Sequence, residues 1–114
     1  MNSFNYRVYD NVYDDIITGK KTIEFRLLNE KTESIKPGDE IKFMVLDNED
    51  KFILVEVINK YIFEDVDDLW KHPEVLNNNV LGYSKEEFKD VLNNIFGKDK
   101  IKNSKIVGIE FKFK

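Results

Sequence analysis

The stretch from Gly19 to Arg26 constrains the fold more than any other part of the sequence. Apolar residues recur at helical spacing before it, and within it they begin to alternate. Because glycine tolerates the left-handed backbone that ends many helices, Gly19 predicts the end of a helix. The alternation of Ile23, Phe25 and Leu27 predicts a strand over residues 22–28. A helix and a strand therefore meet at two adjacent lysines, Lys20 and Lys21.

This basic junction lies in an acidic chain. The protein has 114 residues and a formal net charge of −4. Residues 98–114 carry six lysines against Asp99 and Glu110, a balance of +4, which leaves −8 for residues 1–97. An acidic protein is not expected to coat nucleic acid nonspecifically. A polyanion would therefore have to dock on a local basic patch.

The composition limits the classes of protein that remain. A chain of 114 residues suits one domain, 1–114, with a single modest core. The absence of cysteine excludes disulfides and thiolate chemistry, and one histidine argues against a zinc cage. We find neither an apolar run of about 20 residues for a membrane span nor the apolar core of a signal peptide. We expect a cytoplasmic monomer without a cofactor or metal.

The remaining pattern predicts an α+β protein with about five strands and two or three helices. The predicted strands cover residues 6–9, 22–28, 40–46, 51–61 and 107–113. The fourth is apolar on both faces, so we expect it to be central, and a turn at residues 47–50 should join it to the third. Pro37-Gly38 favours a type II turn. Such a set suits a small barrel-like sheet with helices packed at its ends.

Three helices are indicated. Asp10 or Asn11 can cap the first, and Ser84 with Glu87 forms a capping-box pattern before the last, which should end at Gly97. A short helix is predicted around residues 66–70, followed by an irregular stretch through residues 73–79.

Lys21, Glu24 and Arg26 are the first candidates for a site. Residues two apart on a strand share a face with Cα atoms about 6–7 Å apart, so Thr22, Glu24 and Arg26 can act at one surface. Arginine offers a planar fork to phosphate or a base edge, and glutamate can accept from an exocyclic amine. The alternative is a solvated strand face with a surface ion pair worth less than about 1 kcal/mol.

Other candidates are weaker. Trp70, Tyr83 and Tyr61 could stack bases, although Trp70 falls on an apolar stripe that favours the core and Tyr83 can form a hydrophobic staple. His72 is expected to be a solvated loop residue. Glu74 would suit a general base only if it lay in a pocket.

Two segments carry a resemblance to a known family. Residues 17–27, ITGKKTIEFRL, and 35–43, IKPGDEIKF, resemble the ASCH domain family, with its G-x-K-x-x-E-x-R segment and following turn and strand. Residues 106–111 look like its closing strand. The resemblance implies a PUA-like fold, a small β-barrel flanked by helices, and a role in RNA binding or RNA metabolism. It also implies that Lys21, Glu24 and Arg26 line a cleft, with Lys20 adjoining it.

One branch similar in motif hydrolyses N4-acetylcytidine. It uses the lysine matching Lys21, a threonine three positions later and a downstream glutamate. This chain has Glu24 at the threonine position and Thr22 at the wrong one, and Glu74 is the candidate for the downstream carboxylate.

We therefore expect a binding domain for RNA or a nucleotide, with a ligand contacted by Lys20, Lys21, Thr22, Glu24, Arg26, Trp70 and Tyr83. The alternatives are an amidohydrolase or metal-independent ribonuclease using Lys21, Glu24 and Glu74, and a structural or partner-binding domain in which the motif only fixes the fold.

Overall fold

A curled sheet organises the computed structural model, which describes residues 1–76, 82–97 and 104–114. Its five strands in these ranges are β1 (Ser3–Val8), β2 (Ile23–Leu27), β3 (Glu40–Val45), β4 (Asn48–Phe63) and β5 (Ile106–Phe113). The helices described are α1 (Asp10–Ile17), α2 (Glu30–Ser34), α3 (Val66–Leu69), α4 (Pro73–Leu76) and α5 (Lys85–Phe96). The predicted α+β class and five strands are confirmed, whereas five helices replace the expected two or three.

The strand order is β1-β3-β4-β5-β2, so β4 is central, as its two apolar faces predict. β1 pairs with β3 in parallel, and the other three pairings are antiparallel. The sheet forms a curled half-barrel whose two edge strands are β1 and β2. An unpaired strand edge presents backbone donors and acceptors that other groups can satisfy.

Two apolar clusters hold the sheet and helices together. The first combines buried residues of β1, α1 and the central strands, among them Tyr6, Ile16 and Phe43. The second lies under α3, α4 and α5 and contains Ile23, Phe25 and Leu27 of β2, together with Phe88 of α5. Since side chains alternate along a strand, Glu24 and Arg26 face away from the second cluster.

The first helix begins without the predicted side-chain cap. Tyr9 occupies the N-cap position and makes no capping hydrogen bond, so neither Asp10 nor Asn11 has the expected role. Asp10 instead lies in the first turn, where a negative charge interacts favourably with the helix dipole. Gly19 has a φ of 79°, which confirms the predicted helix stop.

Two short helices were not predicted. The side chain of Asn29 accepts from Thr32 N at 2.9 Å and the Thr32 hydroxyl accepts from Asn29 N at 2.8 Å, a reciprocal cap that starts α2. The stretch from Pro73, predicted to be irregular, begins with α4, because proline is well suited to the first turn of a helix. The asparagines at 77–79 and the lysines at 98, 100 and 102 lie outside the described residues.

The turns follow their local sequence closely. Gly38 has a φ of 95°, as a type II turn requires, and Asp39 N donates to Lys36 O at 3.0 Å. The connection between β3 and β4 is tighter than predicted, because β4 already begins at Asn48. The Ser84 capping box is confirmed: Glu87 N donates to Ser84 Oγ at 3.1 Å, and Ser84 N donates to Glu87 Oε1 at 3.0 Å. None of the described helices has the length and hydropathy needed to cross a bilayer.

Candidate functional site

Lys21, Glu24 and Arg26 form a buried ion-pair network at the start of β2. Lys21 Nζ lies 3.3 Å from Glu24 Oε1, and Arg26 Nη2 lies 3.0 Å from Glu24 Oε2. The Glu24 side chain is 9% exposed, against 11% for Lys21 and 22% for Arg26. One carboxylate is thus held between two cations, and the three side chains carry a net charge of about +1 at neutral pH. This burial rules out a solvated strand face.

Glu24 is kept ionised by its two partners. Burial alone would raise the pKa of Glu24, but the charges and hydrogen bonds of Lys21 and Arg26 outweigh it and lower the pKa below its usual value. The carboxylate is therefore a permanent acceptor in the site. A threonine at this position would supply a neutral hydroxyl instead, so the site differs in charge from that of the amidohydrolase branch.

Arg26 joins the two edges of the open half-barrel. From β2 its Nη2 donates to the backbone carbonyl of Arg7 on β1 at 3.3 Å. Its guanidinium lies over the ring of Tyr6, 4.3 Å from the centroid. The Lys31 ammonium also lies over this ring, at 3.9 Å, and donates to the carbonyl of Asn5. Cationic side chains thus satisfy carbonyls of β1 at the edge where the barrel does not close.

Lys21 is positioned by the turn that follows α1. Its backbone N–H donates to Asp15 O at 3.0 Å, and the positive φ of Gly19 allows the chain to double back onto the helix. The ammonium also lies 5.8 Å from the centroid of the Phe25 ring. The junction therefore brings Lys21 onto the same side of β2 as Glu24, which simple alternation along the strand would not do.

Lys21, Glu24 and Arg26 line a cleft with a volume of about 550 Å³. This volume lies within the usual range for small-molecule sites. α5 contributes apolar side chains to the lining of the same cleft, among them Val91 and Ile95. The remaining lining comes from β1, α1, the β3–β4 turn, the segment before α5 and α5 itself: Arg7, Val8, Tyr9, Asn11, Val12, Asp15, Leu46, Tyr83, Phe88, Leu92, Asn94 and Phe96, with Phe25 from β2.

Four of the predicted site residues come together here. Lys21, Glu24, Arg26 and Tyr83 line the cleft, and the Tyr83 side chain is among the exposed large hydrophobic groups. Lys20 is exposed and is not among the lining residues, and Thr22, at the approach to β2, is also absent from the lining. Four of the seven residues that were predicted to contact a ligand therefore line the cleft.

Trp70 and Glu74 lie elsewhere. Trp70 is half-buried against the second apolar cluster, with its ring 5.4 Å from that of Phe88. Glu74 is exposed on α4, where its Oε1 lies 3.3 Å from His72 Nδ1. Tyr61 donates to Glu110 Oε1 at 3.2 Å and does not line the cleft. A hydrolase acting in the cleft would therefore lack Glu74 as its carboxylate.

Sequence reasoning missed Arg7, Asp15 and Tyr6. Arg7 and Asp15 line the cleft, and Tyr6 contacts Arg26 from β1. Tyr6 and Arg7 come from β1 and Asp15 from α1, so the alternation along β2 does not connect them to the motif. In the described ranges, no group of three or more histidine or carboxylate side chains is placed to hold a metal ion.

Comparison with known proteins identifies solved structures that share the fold of this chain. No family model matches the chain, and no curated protein matches it. Among solved structures, the hypothetical protein PH0355 is 26% identical, with a TM-score of 0.80 over 98% of this chain and 99% of its own. Protein PF0455 from Pyrococcus furiosus is 28% identical, with a TM-score of 0.74 over 97% of this chain and 96% of its own.

Solved structures that are described as ASCH domains also share the fold. The ASCH domain from Lactobacillus crispatus is 16% identical, with a TM-score of 0.66 over 97% of this chain and 79% of its own. At this identity the likeness concerns the fold alone. The protein therefore shares the fold of this ASCH domain, as the motifs at residues 17–27 and 35–43 predict.

Proposed function

We propose that this protein is a binding domain that recognises RNA or a nucleotide in the cleft lined by Lys21, Glu24 and Arg26. The observation that carries the proposal is the buried network itself: two cations fixed by one carboxylate in a cleft of about 550 Å³. Fixed cations favour a phosphate or a base carbonyl. The Glu24 carboxylate supplies an acceptor for an exocyclic amine.

The apolar lining that α5 contributes to the cleft suits a base. Val91 and Ile95 provide apolar surface, and Tyr83 is 44% exposed at its margin. An aromatic or apolar side chain can cover the face of a base, and such stacking contributes about 1–3 kcal/mol per base. Polar side chains can bind the edge of a base, and apolar side chains can cover its face. The cleft therefore matches a nucleoside better than it matches an inorganic anion.

The cleft also explains how an acidic protein can bind a polyanion. The cleft lining carries the cations Arg7, Lys21 and Arg26 against the carboxylates of Asp15 and Glu24. Asp67 does not line the cleft and is paired with Lys85 and Lys89. Binding would be local and selective, with one or a few nucleotides in contact. We expect a monomer to suffice, because one chain supplies all the residues named.

The cleft supports binding better than hydrolysis. Lys21 Nζ is ion-paired with Glu24, and an ammonium in such a pair is a donor, not a nucleophile. Because Glu74 lies outside the cleft, the second carboxylate of the hydrolase scheme has no counterpart at that position. Both the amidohydrolase and the ribonuclease alternatives predict turnover, and the experiment below detects it.

The test compares Lys21→Met with Lys20→Met. Both remove one ammonium and retain most of the side-chain volume, but only Lys21 lines the cleft. Short single-stranded RNA oligomers, nucleosides including N4-acetylcytidine, and nucleotides are titrated at low salt. We expect Lys21→Met to weaken binding about tenfold or more, the range for one charge-assisted hydrogen bond, and Lys20→Met to change it less than about twofold.

Equal effects of the two substitutions, or no binding of any member of the panel to the wild type at low salt, would refute the proposal. Thermal denaturation checks that both variants fold. If the wild type forms product from N4-acetylcytidine or RNA and Lys21→Met does not, the cleft is a catalytic site and not only a binding site.

A further inference from the structure

Arg7 differs from the other two cations of the cleft in what holds its side chain. It lies on β1, and its guanidinium is paired with the carboxylate of Glu49 on β4, which is not among the described lining residues of the cleft. The side chains of Arg7 and Glu49 are 51% and 60% exposed. Lys21 and Arg26 instead share the buried carboxylate of Glu24 within the cleft. Arg7 is therefore the described lining cation whose counter-ion is exposed and lies outside the cleft.

The exposure of each ion pair decides which cation can turn to a ligand. An exposed pair is stabilised over its separated partners by a factor of only about two to five. Breaking a buried pair costs a factor of more than about a hundred. A ligand phosphate can therefore replace Glu49 on Arg7 at little cost, whereas the buried network resists the same exchange. The network is suited to fixed contacts with a base, and Arg7 to a phosphate.

The backbone of Arg7 holds this residue next to the buried network. Its carbonyl accepts from Arg26 Nη2 at 3.3 Å, while its side chain contributes to the lining of the cleft. Because the bond to Arg26 uses the backbone, the Arg7 side chain can contact a ligand without disturbing the network. Arg26 also lines a second cavity, beside Tyr6, but it is the only charged residue in the described lining there and is already bonded to Glu24 and Arg7. A phosphate therefore finds an exchangeable cation in the cleft and not in this second cavity.

We propose that Arg7 binds the phosphate group of a nucleotide whose base is bound by the buried network, and that Glu49 is paired with Arg7 until the ligand enters. This proposal rests on the proposed function, which it deepens by naming the ligand as a nucleoside phosphorylated on its ribose. Carboxylate and phosphate oxygens both accept from a guanidinium, and the planar fork of arginine can donate two parallel hydrogen bonds to a phosphate. The described lining of the cleft also carries three cations against two carboxylates, which favours an anion. The phosphate belongs to a free nucleotide or to an RNA strand.

Arg7→Met and Glu49→Gln test the two parts of the proposal, because they should change affinity in opposite directions. Arg7→Met removes the phosphate contact and keeps the backbone carbonyl that accepts from Arg26. Arg7→Lys keeps the charge but lacks the planar fork. Glu49→Gln removes the charge that competes with the phosphate and keeps the shape of the side chain.

Two control variants make the same changes of charge nearby. Lys51→Met removes a cation from another exposed pair, in which Lys51 Nζ lies 2.8 Å from Asp10 Oδ1, and Lys51 is not among the described lining residues of the cleft. Asp50→Asn removes a carboxylate from the residue that follows Glu49, and Asp50 is not the partner of Arg7. Thermal denaturation checks that every variant folds.

Calorimetric titrations at low salt compare each ribonucleoside with its 5′- and 3′-monophosphates, and dinucleoside monophosphates distinguish an RNA strand from a free nucleotide. We expect the wild type to bind at least one phosphorylated ligand about tenfold or more tightly than its nucleoside, as hydrogen bonds to a charged group imply. Arg7→Met should remove most of this advantage and Arg7→Lys part of it, with nucleoside affinity changed less than about twofold. Glu49→Gln should raise the affinity for the phosphorylated ligand about two- to fivefold. Both controls should stay within about twofold of the wild type.

Three results would overturn the proposal or one of its parts. Equal wild-type affinities for nucleoside and phosphorylated ligand, or an advantage that survives in Arg7→Met, would overturn the role of Arg7. A Glu49→Gln variant that binds no more tightly than Asp50→Asn would overturn the competition by Glu49.

The nucleoside titrations separate these results from the proposed function. Nucleoside binding that Lys21→Met weakens, without a phosphate advantage, leaves the proposed function standing and removes the role of Arg7. A phosphate advantage that depends on Arg7 but is unchanged in Lys21→Met supports the phosphate contact and removes the buried network as the base site. No binding of any nucleoside, nucleotide or dinucleotide removes both.

Discussion

Replacement of Glu24 by glutamine is the perturbation that examines the buried network most sharply. Glutamine keeps the shape of the side chain and removes its charge, so Lys21 and Arg26 lose their common counter-ion. Removing one partner of a buried ion pair costs about 3–5 kcal/mol. Because the Lys21 and Arg26 side chains are 11% and 22% exposed and retain some hydration, we expect a value near the lower end, about 3 kcal/mol.

The assay is thermal and urea unfolding at pH 7, followed by circular dichroism. For a domain of 114 residues, a loss of about 3 kcal/mol corresponds to a fall in Tm of about 10–15 °C. The control is Glu64→Gln, since Glu64 is paired with Lys105 at 3.3 Å but its side chain is 72% exposed. An exposed pair contributes little, so this variant should unfold at the wild-type temperature.

The pH dependence of the unfolding free energy gives an independent check that the ionised form of Glu24 is the stabilising one. The folded-state pKa of Glu24 is lowered, so its stabilising contribution is fully present above the unfolded value and is lost as the pH falls through the folded one. The difference in unfolding free energy between wild type and Glu24→Gln should therefore be largest near neutrality and shrink below about pH 4. Equal stability of the two proteins at pH 7, or a difference that grows in acid, would refute the buried network.

Three further substitutions give separate expectations, each measured by thermal and denaturant unfolding. Gly108→Ala should destabilise by about 1–3 kcal/mol, because the added Cβ would lie 3.3 Å from both Ile23 Cγ2 and Phe25 Cε1 in a packed core; an unchanged Tm would contradict this packing. Ser84→Ala should cost about 1 kcal/mol by removing the cap of α5, and a cost near zero would show that the cap is dispensable. Tyr6→Phe should leave stability unchanged or raise it by about 1 kcal/mol, since the hydroxyl removed has no partner among the described groups; a large loss would reveal such a partner.

The sequence predicted β2 to β5 well because their signals are local, whereas the first strand, predicted over residues 6–9, spans Ser3–Val8. Alternation predicted a strand over residues 22–28, where β2 spans Ile23–Leu27, and the two apolar faces of residues 51–61 correctly indicated the central strand β4. Gly19 and Gly38 mark the turns through the positive φ that they adopt. In each case a few consecutive residues contain the whole physical reason for the conformation.

The burial of Glu24 could not be predicted from local sequence patterns. Alternation gives Ile23, Phe25 and Leu27 one face and Glu24 the other, and a charged face is normally solvated. The second face is covered because the half-barrel curls until β1 approaches β2, where Arg7 and Tyr6 contact Arg26. This closure depends on contacts between residues far apart in sequence, so the local pattern contains no sign of it.

The missed helix α2 had a sequence signal that was not used. Asn29 and Thr32 form a reciprocal cap three residues apart, but residues 30–34 contain no apolar side chain that would mark the buried face of a helix. For the candidate site, the spacing of Lys21, Glu24 and Arg26 indicated the cluster. The apolar lining from α5 and the cavity beside Tyr6 could not be predicted from spacing, because both form only when distant segments of the chain come together.

The central claim is that nucleotides bind between β2 and α5, and a titration followed by amide chemical shifts examines it most directly. The ¹⁵N-labelled protein is titrated with a mixed-sequence single-stranded RNA oligomer at low salt. We predict that the largest shifts occur at residues 21–26, at Tyr83 and along the Val91–Ile95 face of α5, and that Lys21→Met abolishes them. Shifts concentrated instead on the exposed apolar side of β4, at Phe52 and Ile58, with the cleft unaffected, would contradict the account.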